Sequence, residues 1–179
     1  MKQFRNIDIF IFAVLATVAN FLSVKFGNSM DTPYFYTLKW VVLFVVLMRW
    51  GRYGAISLLI SNCLLYFTTD MSFINFVIYE VGAGMFFALP FFIYWKRDRN
   101  LIIKGKLKYL GFLIASHLSL CIGKGIAIFI IEGAYTGAID YLASTLFIIT
   151  IDILAVFLLR AVNGLVVDME KYDLVNDEV

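Results

Sequence analysis

Four ionisable side chains stand inside runs of apolar sequence: Glu80, His117, Lys124 and Asp152. Carrying such groups into hydrocarbon is costly, so they mark ligand sites, ion paths or proton relays unless they pair with one another. Lys124 can serve as counter-charge to an anionic ligand or pair with Glu80. His117 and Lys124 stand at i and i+7, so they fall on one face of a helix, with Ser116 and Cys121 beside it. At 1.5 Å per residue, Glu80 lies about 9 Å and Lys124 about 10 Å below the outer ends of their segments, which puts them at one level. Asn20 and Asn62 come at similar or shallower depth, and His117 and Asp152 lie nearer mid-membrane. Two readings of this level stay open. One is an outward-facing pocket for a small polar or anionic ligand, with Lys124 as counter-charge. The other is a Glu80–Lys124 pair that neutralises itself between helices. His117 reads as an interhelical hydrogen-bonding residue, as a ligand contact, or as an axial ligand if the cargo were a haem.

Those depths have meaning only if the apolar runs cross a bilayer, and composition says that they do. Of the 179 residues, 62% are hydrophobic, and mean hydropathy is +0.88, whereas soluble domains run about 45–50% apolar. Backbone polar groups in lipid must bond within their own segment, so the runs are helices rather than open strands. The spacing predicts an all-α integral membrane protein, a compact bundle of six transmembrane helices at about 7–24, 35–50, 53–68, 74–95, 108–131 and 140–164. They make one domain over 1–165, followed by a polar tail, 166–179.

The basic residues fall in alternate gaps between the runs. Lys2, Arg5, Arg49, Arg52, Lys96, Arg97, Arg99, Lys104, Lys106, Lys108, Arg160 and Lys171 occupy one set; the other holds Lys25, with Lys39 at a border and Lys124 inside a run. An excess of Lys and Arg marks cytoplasmic loops, so both termini are expected in the cytoplasm, with 25–34, 69–73 and 132–139 outside. Trp50, Tyr94 and Trp95 at inner ends, and Tyr34, Tyr36 and Trp40 near an outer end, suit the two headgroup levels. The GRYG run at 51–54 predicts a tight hairpin between helices 2 and 3, and Pro90 a kink in helix 4. The first apolar segment has the length of a spanning helix and no small-residue cleavage site, so it is expected to be retained.

Other chemistry finds little support. A net charge of +2 makes the bases topological rather than a nucleic-acid footprint. Cys63 and Cys121 lack nearby ligand partners and read as buried packing residues, and a single histidine makes an all-protein metal site improbable. There is no GxxxxGK[ST], HExxH or GxSxG run, so no catalytic residues are assigned and an enzyme is not expected. The outer segments 25–34 and 132–140 exceed minimal turns and read either as lids or as hydrated connections. On helix 1, Ala13, Ala16, Thr17 and Ala19 form a small-residue face that lets another helix approach, within the bundle or from a second subunit.

In layout the chain resembles a substrate-binding S-component of an energy-coupling factor transporter. The likeness lies in six helices with both ends inside, the alanine-rich face of helix 1, the long first outer loop and the polar residues of helices 4–6. That family's helix 1 often carries AxxxA; here Ala13 is followed by Thr17 and Ala16 by Asn20. The resemblance implies a binder of a vitamin- or cofactor-like molecule in a bacterial cell membrane, with no covalently bound cofactor. It implies as partners a membrane coupling subunit, docked through Ala13, Ala16 and Thr17, and cytoplasmic ABC ATPases. On spacing and depth, the substrate-binding set is Asn28 and Asp31 in the first loop, Glu80, His117, Lys124 and Asp152, with Tyr79, Tyr135 and Tyr141 to stack on or bond to a ring. Two other classes stay open. A lipid-linked sugar flippase or scaffold of envelope assembly would need a lateral opening to lipid. A membrane-embedded enzyme would need the acids and His117 to converge.

Overall fold

A computed structural model describes residues 2–29, 38–68, 72–94, 99–133, 135–162, 165–167 and 169, with only the backbone described at 2, 23–29, 68, 99–101, 135–138 and 140–148. Among the described residues the chain is all-helical, without a strand. In chain order the helices are α1 (Lys2–Ser29), α2 (Leu38–Trp50), α3 (Gly54–Leu65), α4 (Phe73–Ile93), α5 (Arg99–Lys104), α6 (Lys106–Glu132) and α7 (Tyr135–Arg160).

Four stretches of the described residues are long and apolar enough to cross a membrane: Gln3–Leu22, Leu38–Leu65, Phe73–Ile93 and Lys106–Glu132. Their outward faces are apolar too. On α6, Leu118, Ile122, Ile126 and Ile130 are 47–59% exposed, while His117, Cys121 and Lys124 are buried. A soluble helix reverses that distribution. On α1 the open face is Phe10, Ile11, Val14, Leu15 and Val18. These are the surfaces of a helical protein that sits in lipid.

The stretch Leu38–Leu65 is folded on itself, as the GRYG run predicts. Gly51 takes a positive φ of 53°, which favours glycine, and a three-residue 3₁₀ turn (Gly51–Tyr53) follows. A Cβ at Gly54 would stand 2.8 Å from the Leu47 Cα. In one continuous helix those positions would be about 10 Å apart, so α3 returns antiparallel to α2 with backbones nearly touching. Every side chain of α2 except Leu38 and Val42 is buried. This short helix is therefore wrapped by protein: α1, α3 and α7 lie against it, and its Phe44 stacks edge-on with Phe87 and Phe91 of α4 and Tyr109 of α6.

Several expected boundaries move. Helix 1 runs to Ser29, past the expected end at 24, so Asn28 stands on helical backbone rather than in a loop. The inner linker expected at 96–107 contains α5, whose Ile102 is buried, and the Lys104 carbonyl accepts from Arg160 Nη2 at 2.8 Å. The tail expected to be free from 166 begins docked: Val166 is buried, Leu165 and Met169 pack on the core, and the Leu165 carbonyl accepts from Arg49 Nη1 at 2.9 Å. Cys63 is exposed on an apolar surface, contrary to its expected burial; Cys121 is buried.

Candidate functional site

α4 is a broken helix. It starts at the Ser72 cap, whose hydroxyl accepts from the Asn75 N–H, and widens into a π turn over Val77–Gly82. A 3₁₀ stretch (Phe86–Ala88) follows, and Pro90 sits in the first turn of the last segment, where its missing N–H is harmless. Glu80 stands in the π turn. Wide turns of this kind collect at functional sites because they re-aim side chains that a regular helix would point elsewhere.

Two ammonium groups close on the Glu80 carboxylate from different helices. Lys124 Nζ of α6 donates to Oε1 at 2.9 Å, and Lys39 Nζ of α2 to Oε2 at 3.4 Å. Lys124 also lies 3.5 Å from the centre of the Tyr79 ring, and Lys39 4.9 Å from that of Trp40. Both lysines are buried, at 3% and 2% exposure, so neither charge is diluted by solvent. Counted as two ammonium groups and one carboxylate, the described residues of this cluster carry a formal charge of +1.

Asn62 of α3 supports the turn. Its amide Nδ2 donates to the Glu80 backbone carbonyl at 2.8 Å, while its Oδ1, equally buried, has no hydrogen-bond partner among the described residues. Glycine at 84 permits this, since a Cβ there would meet Nδ2 at 2.5 Å. Gly123 of α6 likewise gives room to the Phe86 ring, which a Cβ would meet at 2.7 Å.

A second polar pair is separate. His117 Nε2 of α6 meets Asp152 Oδ2 of α7 at 2.6 Å, and Nδ1 meets the Leu113 carbonyl at 3.1 Å. Both residues are buried, and Asp152 Oδ1 has no partner among the described residues. Phe87 packs edge-on to His117 and tilted against Trp40. Both ring nitrogens of His117 are thus engaged by oxygens. Among the described residues Glu80 is bonded to lysines and Asp152 to the histidine, so these two acids stand in separate clusters.

A third set lies far along α2 from Lys39. Asp8 Oδ2 of α1 accepts from Arg49 Nε at 2.9 Å and from Trp50 Nε1 at 2.6 Å. Arg49 thereby ties α1, α2 and the segment after α7 together.

Of the expected site residues, the fold brings together Glu80, Lys124 and Tyr79, and separately His117 and Asp152. Asp31 lies outside the described residues, as do the side chains of Asn28, Tyr135 and Tyr141. The docking set needs a correction. Ala13 and Ala16 are fully buried inside the chain's own bundle, where α1 lies against α2 and α3, and Thr17 spends its hydroxyl on the Ala13 carbonyl at 2.8 Å. The small size of Ala13 and Ala16 serves close packing of α1 within the bundle, while Thr17 is half-buried. The residue that sequence reading missed is Lys39. As a second lysine one residue from an interfacial tryptophan it looks like a headgroup anchor, and only the fold turns it inward. Among the described residues no three His, Cys, Asp or Glu side chains gather as metal ligands. Compared with protein-family models, with characterised proteins and with solved structures, the chain matches none.

Proposed function

We propose that the chain is the substrate-binding subunit of an uptake system, capturing a small vitamin- or cofactor-like molecule within the membrane. In this reading six helices cross the cell membrane of a bacterium with both ends cytoplasmic. Energy comes from a separate membrane coupling subunit and cytoplasmic ATPases, and the chain itself catalyses nothing. The carrying observation is the Lys39–Glu80–Lys124 cluster, assembled from three helices around a π turn. A bundle that only needed to be stable would fill that level with apolar side chains, since buried ion pairs seldom outperform them. Supporting it are the alternation of basic gaps, the α2–α3 reversal at Gly51 beside Arg49 and Arg52, and the Asn62 Oδ1 in the same layer, which has no partner among the described residues.

Native mass spectrometry of the purified protein tests this directly. The protein is expected to release a bound small molecule, or to take one at sub-micromolar affinity from a panel of vitamins and cofactors. Lys124→Met should weaken that binding about tenfold or more while the protein stays folded. An empty protein that binds nothing in the panel, or unchanged affinity in the variant, would sink the reading.

A further inference from the structure

The charge cluster carries information about what it binds. Glu80 uses one N–H of each lysine, and each ammonium has three. Among the described residues the remaining N–H groups of Lys39 and Lys124 have no acceptor, although Lys124 also faces the Tyr79 ring. Unspent charge and unspent donors therefore point to the same place. A dianion would overshoot the +1 charge and a cation would double it; one negative charge leaves the level neutral. The Asn62 Oδ1 adds a further requirement. It is a buried acceptor in the same layer, and among the described residues it lacks a donor. A ligand satisfies it with an N–H or O–H close to its anionic group.

We propose that this site takes a small organic monoanion, a carboxylate seated against Lys39 and Lys124 with an adjacent amide or hydroxyl donor toward Asn62. The class rests on the reading of the cluster as the binding site. Lys39 is then a specificity residue: without it the level holds a neutral Glu80–Lys124 pair, and the preference for an anion goes. A phosphodiester lipid headgroup also carries one negative charge, so the test must separate the two sources.

The probes are pairs in which a neutral alcohol or amide replaces the carboxylate: pantothenate and panthenol, nicotinate and nicotinamide, lipoate and lipoamide. Binding is measured on the full chain in a zwitterionic detergent at constant ionic strength, with native mass spectrometry of the same samples. At least one acid is expected to bind about thirtyfold or more tightly than its neutral partner. Lys39→Met should abolish that discrimination, and Lys39→Arg should keep it. Equal binding of an acid and its neutral partner, or capture of a cation such as thiamine, would overturn the monoanion class while leaving the binding-subunit reading intact. Retention of phosphatidylglycerol instead, lost in Lys39→Met, would keep only the single negative charge and overturn both the carboxylate assignment and the uptake reading. A protein that holds none of these molecules would overturn both.

Discussion

The imidazole of His117 has an oxygen against each nitrogen, and that fixes the proton count of the pair. A carbonyl accepts only, so Nδ1 carries a proton toward Leu113. At 2.6 Å, Nε2 and Asp152 Oδ2 must then share another proton, because two lone pairs would repel at that distance. Whether drawn as imidazolium with carboxylate or as imidazole with carboxylic acid, the pair carries no net charge, which is how it tolerates complete burial. Asp152→Asn keeps a donor toward Nε2 and the same Nδ1–H tautomer, so it is expected to cost less than about 1 kcal/mol. Asp152→Ala leaves a buried nitrogen unpaired and should cost about 1–3 kcal/mol. Thermal unfolding in detergent separates the two; equal losses would mean that the pair needs the acid's proton rather than a hydrogen bond. Glu80, Lys124, His117 and Asp152 were all legible as suspects because each interrupts an apolar run. Which acid takes which base was not legible. Glu80–Lys124 was expected from depth alone, but Lys39 enters only through the angle at which α2 threads between its neighbours. Depth along a helix can be counted from sequence; rotation about its axis cannot.

The same divide appears at the level of elements. Pro90 announces an irregular helix, and GRYG announces the reversal at Gly51, because each residue type restricts its own backbone. The π turn at Val77–Gly82 leaves no such mark, because its stabiliser is remote: Asn62 of α3 reaches the Glu80 carbonyl across the gap that Gly84 leaves open. Two helical glycines make the argument testable. A Cβ at Gly111 would meet nothing within 4 Å, so Gly111→Ala should leave stability unchanged or raise it by up to about 1 kcal/mol through helix propensity. Gly84→Ala gains the same propensity but drives Nδ2 of Asn62 from its place, and should cost about 1–3 kcal/mol net. Unfolding of both variants under one denaturing condition gives the comparison. If Gly84→Ala behaved like Gly111→Ala, Asn62 would not be holding the turn.

For the whole molecule, the alternating basic gaps and the folded chain constrain each other. The structure accounts for the basic residues in two ways: Arg49 is consumed by Asp8 and the Leu165 carbonyl, and Arg160 by the Lys104 carbonyl, so these bases clamp one end of the bundle besides marking its side. Lys39 and Lys124, which break the alternation, are the two that meet at Glu80. Two of the three lysines outside the basic gaps are thus members of the proposed site, Lys25 being the third, and the orientation of the bundle decides from which side a ligand reaches it. α6 supplies the measuring rod. Its ends, Lys106 and Glu132, are both exposed, and its 27 residues span about 40 Å, enough to cross the hydrocarbon core. With Cys63 and Cys121 replaced by alanine, a single cysteine at Glu132 (Glu132→Cys) should react in intact cells with a membrane-impermeant maleimide. One at Lys106 (Lys106→Cys) should react only after the cells are made permeable. The reverse pattern would invert the bundle and place the lysine cluster toward the cytoplasm, which suits export or a lipid-facing role and not uptake. Labelling of both positions from outside would show that α6 does not cross.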